Sequence, residues 1–101
     1  MENFLGFLII EKNFKERSAR DVLNRLKRIK RLLGIEKIVI SDIYNLNRQL
    51  QENQMFQGMS PFVKSQLRRA LKLYEEFEEY TIILIVITKF KLFLFIYFAA
   101  E

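Results

Sequence analysis

Residues 81–100 constrain this chain more than any other feature. Sixteen of these twenty residues are apolar, and the rest are Thr81, Thr88, Lys89 and Lys91. A stable fold must cover such a run with protein or with lipid. As a helix it measures about 30 Å, the thickness of a bilayer's hydrocarbon core. The insertion balance is close. Two central lysines cost roughly 5–7 kcal/mol, and the large apolar residues return roughly 4–8 kcal/mol. Lys89 and Lys91 stand about 200° apart on a helix, so no single polar face hides both. As a strand the two would share one face, and β-branched and aromatic residues favour that state. A lone strand of this kind is an aggregation hazard, and no turn signal supports a hairpin. The same residue types are also what AT-rich codons encode, and the change at Thr81 is abrupt, as in a frameshifted or truncated ending. The tail, residues 81–101, is therefore expected to be a spanning helix or a truncation-derived extension, with a folded strand less favoured.

Residues 1–80 are different in kind. They read as one small all-α domain, a four-helix bundle. Asn3 caps a first short apolar helix containing Phe4, Leu5, Phe7, Leu8 and Ile9. Asn13 and Phe14 make a turn. Ser18-Ala19-Arg20-Asp21 has the form of a capping box and opens a second helix. In that helix Ala19, Val22, Leu23, Leu26, Ile29 and Leu33 recur at helical spacing, and Gly34 stops it. Ile38, Val39 and Ile40 form an extended link. Ser41-Asp42 caps a third helix with Ile43, Leu46 and Leu50 inward. A polar loop from Gln51 to Gln54 and Gly58 follows, with Met55 and Phe56 plugging the core. Ser60-Pro61 starts a fourth helix, Ser as cap and Pro in the first helical position. The expected core is Val22, Leu23, Leu26, Leu46, Leu67, Ala70, Leu71 and Tyr74. No Gly or Pro separates this helix from the tail, so one rod from Pro61 to about Ala100 is expected.

Composition excludes several chemistries. The chain has no Cys and no His. It therefore lacks thiolate ligands, disulfides, a cysteine nucleophile and the commonest general base. Its carboxylates are scattered. No catalysis, metal or cofactor is expected. The apolar stretch near the start is too short for a secretory leader, lacks a basic flank and runs into Glu11-Lys12.

Charge is informative through its placement. Residues 11–37 carry ten basic and four acidic residues, a local +6 against +5 for the whole chain. On the second helix Arg17, Arg20, Asn24, Lys27, Arg28 and Arg31 lie opposite the apolar arc, five of the six being cations. Such a stripe suits a phosphate backbone, and Asn24 adds a hydrogen-bonding group in its middle. Lys64, Arg68 and Lys72 repeat the pattern on the fourth helix, which then turns acidic at Glu75, Glu76, Glu78 and Glu79. The competing explanation is a solvated bundle face, since Lys and Arg are good helix formers.

The order of features resembles a known family. Asn3-Phe4-Leu5 through Lys12 is similar to the opening helix of the core-binding, SAM-like N-terminal domain of tyrosine recombinases and phage integrases. Ser18 through Leu26 resembles its second helix. Met59-Ser60-Pro61-Phe62-Val63-Lys64-Ser65-Gln66-Leu67-Arg68-Arg69-Ala70-Leu71 and the aromatic pair Tyr74 and Phe77 resemble its last. The resemblance covers about residues 3–80. It implies a clamp on duplex DNA through basic helix faces, with Arg17, Arg20, Asn24, Lys27, Lys64 and Arg68 as contacts by position. Recombinase chemistry itself belongs to a separate domain with an Arg/His/Tyr constellation, and no His exists here, so strand cleavage is not implied.

The leading expectation is a non-catalytic, cytoplasmic DNA-binding module. The alternative from another class is a single-pass membrane protein whose basic domain, residues 1–80, is cytoplasmic, in agreement with the positive-inside rule. A protein-interaction bundle with merely solvated basic faces is the third.

Overall fold

The computed structural model describes residues 2–100, whose regular structure is all helical with no strand among them; residues 1 and 101 lie outside the described part. Five helices occur, α1 Glu2–Ile10, α2 Glu16–Leu33, α3 Ile43–Glu52, α4 Gln54–Gln57 and α5 Pro61–Ala99, with a 3-10 turn at Ile40–Asp42 before α3. The chain measures 65 × 30 × 20 Å, because α5 runs through the bundle and far beyond it.

The helix ends explain where the sequence reading departs from the structure. Asn3 does not cap α1, which begins one residue earlier at Glu2. Ser18 does not cap α2 either. That helix starts at Glu16 after Lys15, and its first closing bond runs from Ala19 N to Lys15 O at 2.9 Å. Glu16 favours the earlier start, because a carboxylate in the first turn is stabilised by the helix dipole. The chain reaches this point through Asn13, whose φ of 59° is left-handed, a conformation Asn tolerates better than most residues. Gly34 does stop α2, at φ 64°. Gly34 N donates to Arg31 O and Ile35 N to Lys30 O, the paired bonds of a Schellman motif.

The link after α2 ends at Val39, since Ile40, expected to belong to it, already lies in the 3-10 turn. Asp42 precedes α3 without capping its backbone; its Oδ1 accepts instead from Asn45 Nδ2 at 2.7 Å. The expected loop at residues 51–58 is mostly helical. α3 continues to Glu52, and α4 adds one turn capped by Asn53, whose Oδ1 accepts from Phe56 N at 3.0 Å. Asn53 Nδ2 also donates to Leu32 O, tying this turn to the end of α2. Of the two residues expected to plug the core, Phe56 is buried and Met55 is 72% exposed. Ser60 Oγ accepts from Val63 N, with Pro61 opening α5 as its sequence predicts.

One core joins the helices. Val22, Leu26, Leu46, Leu67, Ala70 and Leu71 are buried in it, while Leu23 and Tyr74 are only partly buried against it. α1 contributes more than its length suggests, with Phe4, Phe7 and Leu8 all buried. Phe4 and Phe7 pack on Tyr74, Phe77 and Tyr80 of α5, with ring centroids 5.2–5.5 Å apart. Edge and tilted pairs of this kind add to plain area burial. Among the described residues no buried core residue lies beyond Leu73.

Residues 81–99 continue α5 as helix, which replaces the strand reading. A lone strand leaves a row of backbone groups unpaired, whereas a helix satisfies its own. With no Gly or Pro after Pro61, nothing interrupts the ladder.

Candidate functional site

Two surfaces stand out, the outer face of α2 and the free half of α5. On α2, Arg17, Arg20, Asn24, Lys27, Arg28 and Arg31 are all exposed. Their Cα atoms span about 21 Å along the helix, the axial length of about six phosphates on one DNA strand. The stripe is not free of acids. Arg20 donates from Nε and Nη2 to Glu16 Oε1 at 3.2 and 2.9 Å. Both side chains are well exposed, so the pair is worth little and does not remove Arg20 from competition by a polyanion.

The three basic residues of α5 are placed differently. Lys64 Nζ and the Arg68 guanidinium lie 5.8 and 5.6 Å from the centroid of the Phe56 ring, against α4. Lys72 lies one turn further on, about 40° around α5 from Arg68, beside Phe14, Arg69 and Glu76. A groove of about 540 Å³ separates α2 from α5, lined by Lys15, Ser18, Asp21 and Arg25 on one wall and Gln66, Arg69 and Leu73 on the other. None of the nine basic-stripe residues lines it. The α2 stripe borders the groove without lining it, since Arg28 stands about 20° around the helix from Asp21, which does line it. The α2 stripe is thus one continuous patch, and the α5 residues do not extend it. Arg25 and Arg69, which flank the groove, were not among the expected contacts: Arg25 sits at the edge of the apolar arc and Arg69 alongside the α5 stripe.

Polar contacts clasp the turn after α1 to α5. Lys12 Nζ is 2.8 Å from Glu76 Oε2, and Tyr80 Oη donates to Glu11 Oε1 at 2.9 Å. The hydrogen bond to Glu11 holds the Tyr80 phenol above its ordinary value, with desolvation adding to it. Burial raises Tyr74 likewise, with Glu78 adding to the effect. A raised folded value means that the contact's stability is complete below the ordinary phenol pKa of about 10 and is lost as pH rises through the folded value. Glu11→Gln should therefore shift the alkaline phenolate absorbance transition to lower pH, and should not do so in a Tyr80→Phe background. Identical curves for parent and Glu11→Gln would contradict the contact.

Beyond this clasp, α5 is alone. Ile82, Ile83, Leu84, Ile85, Val86, Ile87, Phe90, Leu92, Phe93, Phe95, Ile96, Tyr97 and Phe98 are each 44–71% exposed. The helix is long and apolar enough to cross a membrane, with a mean hydropathy of 2.3 over its most apolar 18 residues, none of them buried. Among the described residues no group of three or more acidic side chains is placed to hold a metal ion.

No protein-family model, curated protein or solved structure matches the chain.

Proposed function

We propose that this protein is a single-pass membrane protein whose small basic helical domain stands on the cytoplasmic face. The observation that supports it is the free half of α5, in which none of the most apolar 18 residues is buried. A core helix of a soluble protein passes the same length and hydropathy test, but such a helix is covered by its own fold. Here the fold covers none of it, and in water that surface exceeds what soluble monomers bare. A continuous helix is also the form in which a chain can cross lipid, since each backbone group is paired internally. Orientation follows from Lys64, Arg68, Arg69 and Lys72, which all lie within twenty residues before Thr81. Fractionation tests the reading. The full chain should stay with membranes through alkaline carbonate washing and be released by detergent. Pelleting in both treatments would mark an aggregate and sink it.

A second reading, DNA binding by the bundle, is favoured by the exposed α2 stripe. It also draws on the resemblance of residues 3–80 to the SAM-like core-binding domains of integrases. In this reading Arg17, Arg20, Lys27, Arg28 and Arg31 hold phosphates, Asn24 meets a phosphate or base edge, and the chain performs no catalysis. Lys64, Arg68 and Lys72 form a secondary patch. The two readings are compatible in one molecule, since the stripe and the span occupy different elements.

A further inference from the structure

The spanning reading leaves two lysines in an awkward place. Lys89 and Lys91 are exposed and lie within about 2 Å, along the axis, of the middle of residues 81–100. A four-carbon stem does not bridge half of a hydrocarbon core about 30 Å thick. No Asp or Glu occurs between Thr81 and Ala100 to neutralise them. Ionisable side chains at this depth usually face a protein partner or a polar cavity rather than lipid.

The helix wheel shows which side a partner fits. With Thr81 at 0° and a turn of about 100° per residue, Lys89 falls near 80° and Lys91 near 280°. Between them on the narrower arc lie both threonines of the segment, Thr81 and Thr88, with Ala99 and the larger Leu84, Ile85, Leu92, Phe95 and Ile96. On the opposite side stand Ile83, Val86, Phe90, Phe93 and Tyr97, large side chains suited to lipid. What sets the narrow arc apart is its two hydroxyls, which hydrogen-bond across helices. A cation stands at each of its edges.

We propose that this face docks the transmembrane helix of a different protein carrying an Asp or Glu at the same depth. Charge complementarity selects that occupant. A second copy of this chain would set lysines against lysines with no carboxylate between them. An acidic helix would satisfy its own charge and offset one of the two lysine charges, and Thr88 leaves room for it. The proposal rests on the spanning reading and adds a partner to it.

The test uses the full chain in phosphatidylcholine vesicles, labelled at a cysteine introduced at Ser65. The probe is a synthetic polyleucine transmembrane peptide with one central Glu, compared with the same peptide bearing Leu there. Energy transfer should report association with the Glu peptide about tenfold stronger than with the Leu peptide. The double variant Lys89→Leu/Lys91→Leu, which inserts more readily than the parent, should lose that preference. Equal association with both peptides, or a preference that survives the double variant, overturns the proposal. Insertion is read separately in peptide-free vesicles. A chain that carbonate strips from them fails as a spanning protein, and the docking face falls with it. A chain that inserts without preferring Glu leaves the span standing and removes only the partner.

Discussion

Ending the chain after Tyr80 should yield a soluble, monomeric protein, while the full chain requires detergent. The core that holds the bundle together ends at Leu73, and its outer ring of partly buried residues ends at Tyr80. The truncation therefore removes no buried side chain. It keeps the Lys12–Glu76 and Glu11–Tyr80 contacts, and it keeps the start of α5, where Ser60 and Pro61 initiate the helix. What it removes is a run of isoleucines, leucines and phenylalanines, most of them about half exposed or more. The expected effect is near-complete transfer from pellet to supernatant, with helical circular dichroism per residue retained. A full chain that is monodisperse without detergent would mean that the tail is covered by protein. A truncated chain that aggregates would mean that the bundle depends on the tail.

Reversing three charges on α2, Arg20→Glu, Lys27→Glu and Arg31→Glu together, should abolish duplex DNA binding by the bundle. Each cation that neutralises a phosphate releases counterions, so the logarithm of affinity falls with the logarithm of salt by about 0.9 per contact. Removing three contacts should flatten that slope by about three, and the new carboxylates repel the backbone as well. All three side chains are exposed and none belongs to the core, so the fold should persist. Reversing Lys64, Arg68 and Lys72 should cost less, because that patch is separate and two of its cations already lie over Phe56. Unchanged binding by the α2 triple variant would reduce the stripe to a solvated helix face.

Much of the fold was legible because hydrophobic spacing carries it. Val22, Leu26, Leu67, Ala70 and Leu71 recur at helical intervals and meet in one core, and Gly34, Ser60 and Pro61 mark ends by backbone chemistry that depends on few neighbours. Ser18 misled because a capping box is only local. Glu16 and the left-handed Asn13 set the start of α2 three residues upstream of the first position after it. Asn53 was hidden for the opposite reason. Its side chain caps α4 and also reaches Leu32 O on α2, 21 residues away in sequence, a contact that no window reveals. The tail's helical form followed from continuity with α5 rather than from propensity, which pointed to strand. The stripe on α2 was readable from spacing alone. Its separation from Lys64, Arg68 and Lys72 depends on how α2 and α5 are rotated against each other, and that is a property of the packing.

The absence of cysteine makes the spanning claim directly measurable. Single cysteines introduced at Ser65, on the bundle side, and at Ala100, at the far end of the apolar run, can be labelled in intact cells with a maleimide that does not cross membranes. The account predicts that Ala100→Cys reacts from outside in intact cells, while Ser65→Cys reacts only once the cells are opened. Labelling of neither site in intact cells, with both reacting after opening, would contradict a transmembrane α5.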